Sequence, residues 1–174
     1  LEKYLEKLET KVTIKNVDQT TIPRISQLTM KTNQFNLTTK RYSEEEIKSM
    51  MNDSKIRIVC ARVEDKFGDN GITGAFITKI KNKKELYIDT FLLSCRVIGR
   101  EVEQTIMSFI VNEAKKEGLE KIIAEFIPTK KNSPASDFLS KSGFKKEGKI
   151  WVFNTSKEFK KPSKSQTDTS MVRN

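Results

Sequence analysis

The sequence predicts one α/β domain, with a mixed central sheet flanked by helices. Its 174 residues suit a single well-filled core rather than two cores. Segments with strand-like patterns alternate along the chain with segments that have helical spacing, as expected of a layered α/β domain. Residues 86–94 are almost entirely apolar, so we expect a central strand there that is covered on both faces.

The N-terminal third predicts helices on both sides of one strand. Pro23 is acceptable in the first turn of a helix, and Ser43 with Glu46 three residues later has the spacing of a capping box. The predicted elements are a linker helix over 1–10, a strand over 11–17, a helix over 20–32, a polar loop over 33–39 and a helix over 43–51.

The middle of the chain predicts three strands and then the strongest helix. Asn70 and Gly71 form a pair that is typical of a tight hairpin turn. Gly118 follows the last periodic residue of the helix, where glycine is favoured. The predicted elements are strands over 56–63, 72–81 and 86–94, with a hairpin turn in 67–71, and a helix over 101–118.

The C-terminal part predicts a strand over 121–127, a short helix over 133–143 and two short strands within 144–154. Ser133 and Pro134 have the residue types of an N-cap and a first helical position. The order of elements from residue 11 is therefore β-α-α-β-β-β-α-β-α-β-β. We expect one domain over 11–156 and a basic flexible tail over 157–174, which is polar and has no apolar periodicity.

The composition excludes several classes of protein. Histidine is absent, which excludes Ser/His and Cys/His nucleophilic triads and argues against zinc, so we expect no metal. Cys60 and Cys95 lie in apolar stretches without metal-ligand or redox spacing, and we expect buried free thiols. No apolar run approaches the ~20 residues needed to cross a bilayer, and no signal peptide is evident. We therefore expect a cytoplasmic protein without membrane contact.

The formal net charge of +10 suits a polyanionic partner such as a nucleotide cofactor or an acidic protein. Nucleic acid is disfavoured because the lysines are dispersed and no aromatic platform or recognition helix is evident.

The turn between the apolar strand and the long helix is the strongest candidate for a binding site. It reads Arg96, Val97, Ile98, Gly99, Arg100. A strand–turn–helix directs backbone N–H groups and the positive end of the helix dipole at one point. Gly99 lets the backbone approach a phosphate, and the two arginines add charge. The alternative is a basic turn that only caps a helix.

The order of elements, the Arg96-x-x-Gly99 turn and the downstream Asn132-x-x-Ala135 with Gly143 resemble the GNAT acyltransferase superfamily. That family's pyrophosphate loop reads Q/R-x-x-G-x-G/A. Here Glu101 stands where a small residue is usual, and its carboxylate would repel a pyrophosphate unless it points outward. The resemblance implies a site for CoA or a phosphopantetheine arm, formed by Phe91, Leu93, Arg96, Val97, Ile98, Gly99, Arg100, Glu101 and Asn132.

Four irregular strings, over residues 31–39, 62–71, 88–100 and 125–132, are similar to the C-terminal part of FkbH-like proteins. The similarity spans roughly residues 1–154. In that family a HAD-type domain precedes a GNAT-like domain, and the protein loads a glyceryl unit onto the phosphopantetheine of an acyl carrier protein. The resemblance implies an acidic acyl carrier protein as partner, an upstream HAD-like domain in the same or a partner chain, and a role in polyketide biosynthesis.

Asp89 and Glu125 are the candidates for a catalytic base. A carboxylate in an apolar strand must be paired or desolvated, and desolvation raises its pKa toward a useful value. The two could face one cleft where adjacent parallel strands diverge. Alternatively, each is a structural carboxylate that hydrogen-bonds a neighbouring loop. The usual GNAT acid is a tyrosine, and Leu139 stands at that position.

The loop that contains Asn33, Gln34, Phe35 and Asn36 is where GNAT-like domains line the acceptor site; a purely structural loop is the alternative. Two functions stay open. The domain either transfers an acyl unit of glyceryl type to or from a carrier protein, or it is a non-catalytic module that holds the phosphopantetheine arm for a HAD-type partner.

Overall fold

The computed structural model describes residues 8–162 and 165–172. The helices are α1 (Ile22–Lys31), α2 (Glu44–Met51), α3 (Val102–Lys116) and α4 (Phe138–Lys141). The strands are β1 (Lys11–Asn16), β2 (Phe35–Asn36), β3 (Ile56–Asp65), β4 (Gly68–Asn82), β5 (Glu85–Leu93), β6 (Lys121–Glu125), β7 (Lys145–Glu147), β8 (Ile150–Asn154) and β9 (Gln166–Met171).

These strands form one mixed sheet in the order β7-β8-β6-β5-β4-β3-β1-β9. Strands β3, β4 and β5 are antiparallel neighbours, whereas β5 and β6 are parallel because α3 crosses over between them. Strand β2 lies off this path and pairs only with β5. The predicted mixed sheet with an interior apolar strand is confirmed.

Helices cover both faces of the sheet. Helix α3 packs Val102 and Ile106 against one face, and α1 and α2 pack Ile25 and Ile47 against the other. All four side chains are at most 1% exposed, and full burial of an aliphatic side chain contributes about 1.5–3 kcal/mol. The capping box of α2 forms as predicted: the Ser43 N–H donates to Glu46 Oε2 (2.7 Å), and the Glu46 N–H donates to Ser43 Oγ (3.2 Å).

The predicted hairpin turn at Asn70 and Gly71 is wrong. Asp65 pairs with Gly68, so Lys66 and Phe67 form the turn. Asn70 and Gly71 lie inside β4 at a shift of register, and Gly71 has a φ of 70°. Both a tight turn and a bulge use a left-handed glycine, and only the strand register distinguishes them.

The C-terminal segment also differs from the predicted flexible tail. Residues Gln166–Met171 form β9, which lies parallel to the edge strand β1. The N–H of Gln166 donates to the carbonyl of Thr10 (2.9 Å). The backbone of an edge strand can bind another strand whatever its side chains, so a polar sequence carries no hydrophobic signal for this pairing.

Cys95 is exposed, contrary to the expectation of a buried thiol, because it lies in a 3-10 turn (Cys95–Val97) after β5 has ended. Cys60 is buried in β3, and burial raises the pKa of its thiol to about 11.

The predicted N-terminal helix falls mostly on residues 1–7, outside the described part of the chain. Across the described ranges, no helix has the length and apolar character needed to cross a bilayer.

Candidate cofactor site and polar cluster

The turn after β5 has the geometry of an anion site. Gly99 adopts a left-handed φ of 79°, and α3 begins three residues later. The N–H of Thr105 is the first in α3 to find an intrahelical acceptor, the carbonyl of Glu101 (3.0 Å). The N–H groups of the first helical turn therefore lack intrahelical partners, and the positive end of the dipole lies beside the turn. Val97 is fully buried and Ile98 packs on the core, so both anchor the turn.

Three arginines surround the turn, and they differ in how freely they can bind an anion. Arg96 is exposed. Arg24 donates to the carbonyl of Ile72 through Nε (3.1 Å) and Nη2 (2.9 Å); its pKa is lowered, first by burial and then by the charge of Arg96. Sequence reasoning missed Arg24, because only the path of α1 across the sheet brings it near the turn.

Arg100 is committed to the β3–β4 hairpin rather than to the turn. Its Nη1 donates to Asp65 Oδ2 at 2.5 Å, and the Asp65 carboxylate is 5% exposed. Burial alone would raise the pKa of Asp65, but the Phe67 N–H, the Asn70 amide and Arg100 outweigh it and lower that pKa. Arg96 is therefore the freer of the two arginines that the sequence placed in the turn.

Glu101 does not point outward. It has a left-handed φ of 60°, and its Oε2 is buried without a hydrogen-bond partner in the described structure. Glu103 Oε2 is likewise buried without a hydrogen-bond partner in the described structure. The pKa of Glu103 is raised by burial and further by the charge of Glu101. Two carboxylates thus lie beside the N-terminus of α3 and weaken its attraction for an anion.

Glu103→Gln is expected to stabilise the domain at neutral pH. The raised pKa means that the folded state favours the protonated carboxyl, so the penalty is absent below the unfolded value of about 4.5 and grows as the pH rises through it. We expect the Tm to increase by roughly 2–4 °C at pH 7.5, the shift that 1 kcal/mol produces in a domain of this size, and to be unchanged at pH 4. Thermal unfolding at both pH values measures this effect. A gain of the same size at both would contradict it, and exposed Glu147→Gln is the control.

Beyond the middle of β5, a segment of the chain takes the place of β6. Strands β5 and β6 pair only as far as Ile88 and Ala124. From there residues 35–38, here called the wedge segment, run antiparallel along β5. Phe35 pairs with Leu93 and Asn36 with Leu92. The wedge segment thus fills the opening where the two parallel strands diverge.

Three hydrogen bonds join the wedge segment to both sides of this opening. The Leu37 N–H donates to the carbonyl of Phe91 (3.1 Å), and the Leu37 carbonyl accepts from the Ile127 N–H (2.9 Å). The Thr38 hydroxyl donates to the carbonyl of Asp89 (2.8 Å). The wedge segment therefore bridges β5 and the chain that follows β6.

Buried side chains hold the wedge segment in place. Asn132 Nδ2 donates to the carbonyls of Asn36 (3.0 Å) and Ile127 (2.9 Å). The Phe35 ring lies 5.2 Å from Phe138 and 6.2 Å from Phe91. Of the residues predicted to bind cofactor, Phe91, Leu93 and Asn132 all contact the wedge segment instead of an open cleft.

The predicted acceptor loop divides between this wedge and the surface. Phe35 and Asn36 are at most 3% exposed. Asn33 is held by Arg41, whose Nη2 donates to Asn33 Oδ1 (2.5 Å). Gln34 is exposed and is the only one of the four predicted acceptor residues free to meet a ligand in this conformation.

Asp89 is anchored by three donors. Lys40 Nζ donates to Oδ1 at 2.7 Å, while the Tyr42 hydroxyl (2.7 Å) and the Thr90 hydroxyl (2.9 Å) donate to Oδ2. Burial and the Asp89 carboxylate raise the pKa of Tyr42 above its usual range. Burial would lower the pKa of Lys40, but Asp89 outweighs it and raises that pKa. Asp89 therefore acts as the structural centre of this cluster.

Glu125 joins the same polar cluster through Tyr87. The Tyr87 hydroxyl donates to Glu125 Oε2 (3.0 Å), and Lys40 Nζ lies 5.4 Å from the centre of the Tyr87 ring. Burial and then Glu125 raise the pKa of Tyr87. Glu125 has one hydrogen-bond donor in the described structure and is half-buried, so its carboxylate is held by fewer contacts than that of Asp89. Sequence reasoning paired Asp89 with Glu125 but missed Lys40, Tyr42 and Tyr87, which carry no periodic signal.

A cavity of about 570 Å³ lies at the other end of the sheet, lined by Ile56, Leu86 and the C-terminal half of α3. Among its charged lining residues, Arg57 forms ion pairs with Glu113 (3.1 Å) and Glu117 (2.8 Å). At the opposite end of β5, the wedge segment occupies the opening between β5 and the chain that follows β6.

Solved structures with the same arrangement include N-acetyltransferases. The ribosomal-protein-S18-alanine N-acetyltransferase of Escherichia coli superposes with a TM-score of 0.64 at 12% identity, over 84% of this chain and 96% of that one. The chain has the GNAT N-acetyltransferase fold. Spermidine N-acetyltransferase from Vibrio cholerae, in complex with CoA and spermine, has a TM-score of 0.64 at 16% identity, over 84% and 97% of the two chains. Ard1 from Thermoplasma volcanium has a TM-score of 0.64 at 13% identity, over 82% and 97%.

These identities show the GNAT fold alone. No protein-family model matches the sequence, and no curated protein matches it.

Proposed function

We propose that this GNAT domain binds CoA or a phosphopantetheine arm at the turn formed by residues 96–100 and takes part in acyl transfer. The observation that carries the proposal is the strand–turn–helix itself, with left-handed Gly99, exposed Arg96 and neighbouring Arg24. Backbone N–H groups and cationic side chains converge there as an anion site requires. A structure of similar fold was solved with CoA, which supports this choice of ligand.

In this proposal Glu125 accepts the proton of the attacking acceptor as it adds to the thioester carbonyl. Tyr87 is the candidate donor for the leaving thiolate, because a tyrosine hydroxyl is protonated at neutral pH and this one already donates to Glu125. Leu139 is buried at 1% exposure and has no hydroxyl. Asp89 keeps Lys40 and Tyr42 in place beside these groups.

The acyl unit we propose is of glyceryl type, carried to or from an acyl carrier protein, with a HAD-type domain as the companion activity. The support is the similarity of residues 31–39, 88–100 and 125–132 to FkbH-like proteins. The net charge of +10 complements an acidic carrier protein. Binding to such a carrier should weaken as salt concentration rises.

The wedge segment favours a second candidate function. Because residues 35–38 occupy the opening beside β5, the domain could hold a phosphopantetheine arm at its turn without admitting the thioester to a catalytic position. In this form it is a non-catalytic module that serves a HAD-type partner. Transfer of an acyl group by the isolated domain would exclude the module, whereas binding without turnover would exclude the enzyme.

CoA is expected to raise the Tm of the domain, and Arg96→Glu to abolish the increase. At a concentration about ten times the dissociation constant, linkage contributes about 1.4 kcal/mol, or roughly 3–6 °C. Thermal unfolding with and without CoA measures the effect. Lys149→Glu, an equal charge change at an exposed turn residue, is the control. No increase at millimolar CoA in the wild type would refute cofactor binding at this turn.

A further inference from the structure

We infer that the wedge segment, residues 35–38, is a plug built into the pantetheine cleft, which must leave β5 before a pantetheine arm can lie along that strand. The inference rests on the proposed binding of CoA or phosphopantetheine and concerns the regulation of the same site. It follows from three features: the use of the β5 edge, the way the segment is anchored, and the backbone strain at its end.

The edge of β5 cannot bind the wedge segment and a ligand at once. A pantetheine arm carries two amides, and an extended chain of amides binds a strand edge through main-chain hydrogen bonds. On β5 the Phe91 carbonyl already accepts from the Leu37 N–H, and Leu93 and Leu92 are paired with Phe35 and Asn36. The wedge segment and the arm would therefore compete for the same groups.

The wedge segment is anchored by single hydrogen bonds at its two flanks and by the side chains of Phe35 and Leu37, which are 3% and 1% exposed and belong to the core beneath α3. On one side the Thr38 hydroxyl binds the Asp89 carbonyl; on the other, Asn132 binds the Asn36 carbonyl. Only Phe35 and Asn36 have strand geometry. Release of the wedge segment therefore withdraws Phe35 and Leu37 from that core, whereas the pairing of β3, β4 and β5 does not depend on the segment.

Thr39, at the end of the wedge segment, has a left-handed φ of 53°. This conformation is strained for a β-branched residue. It is kept in place because the Thr39 N–H donates to Asn36 Oδ1 (2.9 Å) and its hydroxyl donates to the Thr38 carbonyl (2.8 Å). Release of the wedge segment removes these restraints and the strain together, which marks Thr39 as the hinge.

A plug of this kind reduces the apparent affinity for CoA by the fraction of molecules in which it is open. Thr38→Val keeps the shape of a side chain that is 5% exposed and removes its bond to Asp89. We expect this variant to bind CoA about fivefold more tightly, the factor that corresponds to one neutral hydrogen bond. Binding of 3′-phospho-ADP, the nucleotide portion of CoA without pantetheine, should not change, because it needs only the turn.

The experiment is calorimetric titration of the wild type, Thr38→Val and Thr155→Val with both ligands. Thr155 is the matched control: its hydroxyl donates to the Leu119 carbonyl (2.7 Å), away from the cleft. In parallel, hydrogen exchange of the wild type should show that CoA, but not 3′-phospho-ADP, accelerates exchange at the amides of Leu37 and Ile127. This measurement also decides the question if Thr38→Val does not fold.

The inference is overturned if CoA binds equally to wild type and Thr38→Val and the amides of Leu37 and Ile127 stay protected in the CoA complex. The proposed cofactor binding would then stand, with the arm placed elsewhere. If neither CoA nor 3′-phospho-ADP binds the wild type, the proposed function itself fails, and the plug has no ligand to exclude.

Discussion

Phe138→Ala is expected to lower the free energy of unfolding by about 3–5 kcal/mol, the cost typical of deleting a buried phenylalanine. Phe138 is 3% exposed, and its ring lies 4.9 Å from that of Phe91 and 5.2 Å from that of Phe35. It therefore joins α4, β5 and the wedge segment. Urea unfolding followed by fluorescence and circular dichroism measures the loss.

The control for this prediction is Phe67→Ala on the β3–β4 turn, where the side chain is 74% exposed. A surface substitution of this kind changes stability by about 0.5 kcal/mol or less. Equal losses for Phe138→Ala and Phe67→Ala would show that the aromatic cluster does not hold α4 and the wedge segment to the sheet.

Asp89→Ala is expected to cost about 3 kcal/mol, the lower end of the range for removing one partner of a buried ion pair, because three donors lose this acceptor. The carboxylate is 19% exposed, while its partner Lys40 is 36% exposed and regains some hydration. Asp89→Asn, which keeps the shape without the charge, should lie between wild type and Asp89→Ala. Urea unfolding at pH 7.5 measures the free energy of unfolding of all three proteins and so ranks their stabilities.

The loss of stability in Asp89→Ala is expected to depend on pH. The pKa values of Lys40 and Tyr42 are both raised in the folded state, so their contribution is fully present below the ordinary tyrosine value of 10.0. It is lost as the pH rises above that value. The stability difference between wild type and Asp89→Ala should therefore shrink above pH 10. A stability difference that stays constant above pH 10 would contradict the claim that Asp89 stabilises the fold through Lys40 and Tyr42.

Asp137→Ala is the control: it breaks an exposed ion pair with Lys141 and should cost less than about 1 kcal/mol.

Much of the fold could be predicted from local patterns. The alternation of strands and helices, the capping box at Ser43 and the apolar run of β5 each depend on neighbours in sequence, and all three appear in the structure. The turn at Gly99 belongs to the same class, because a glycine after a strand and before a helix specifies its own backbone. The neighbouring positions of β5 and β6 followed from the same patterns, whereas the prediction that Asp89 and Glu125 face one cleft stays a prediction.

The features that were predicted wrongly, or not predicted at all, are those that depend on long-range contacts. The position of Gly71 in a bulge depends on the register between β3 and β4, and β9 forms because β1 offers a free edge. Arg24 reaches the turn only because α1 crosses the sheet. None of these features has a repeating pattern along the chain, so sequence spacing does not report them.

The sequence by itself determined the layered α/β architecture and the strand–turn–helix with Arg96 and Gly99, because hydrophobic periodicity and glycine geometry are local properties. Only the tertiary structure decided whether that turn opens onto a free cleft. Residues 35–38 pair with β5 at positions more than 50 residues away in sequence, and Asn132, which is 96 residues from Asn36, also fixes them. A strand edge accepts any backbone that reaches it, and which backbone does so is set by the path of the whole chain.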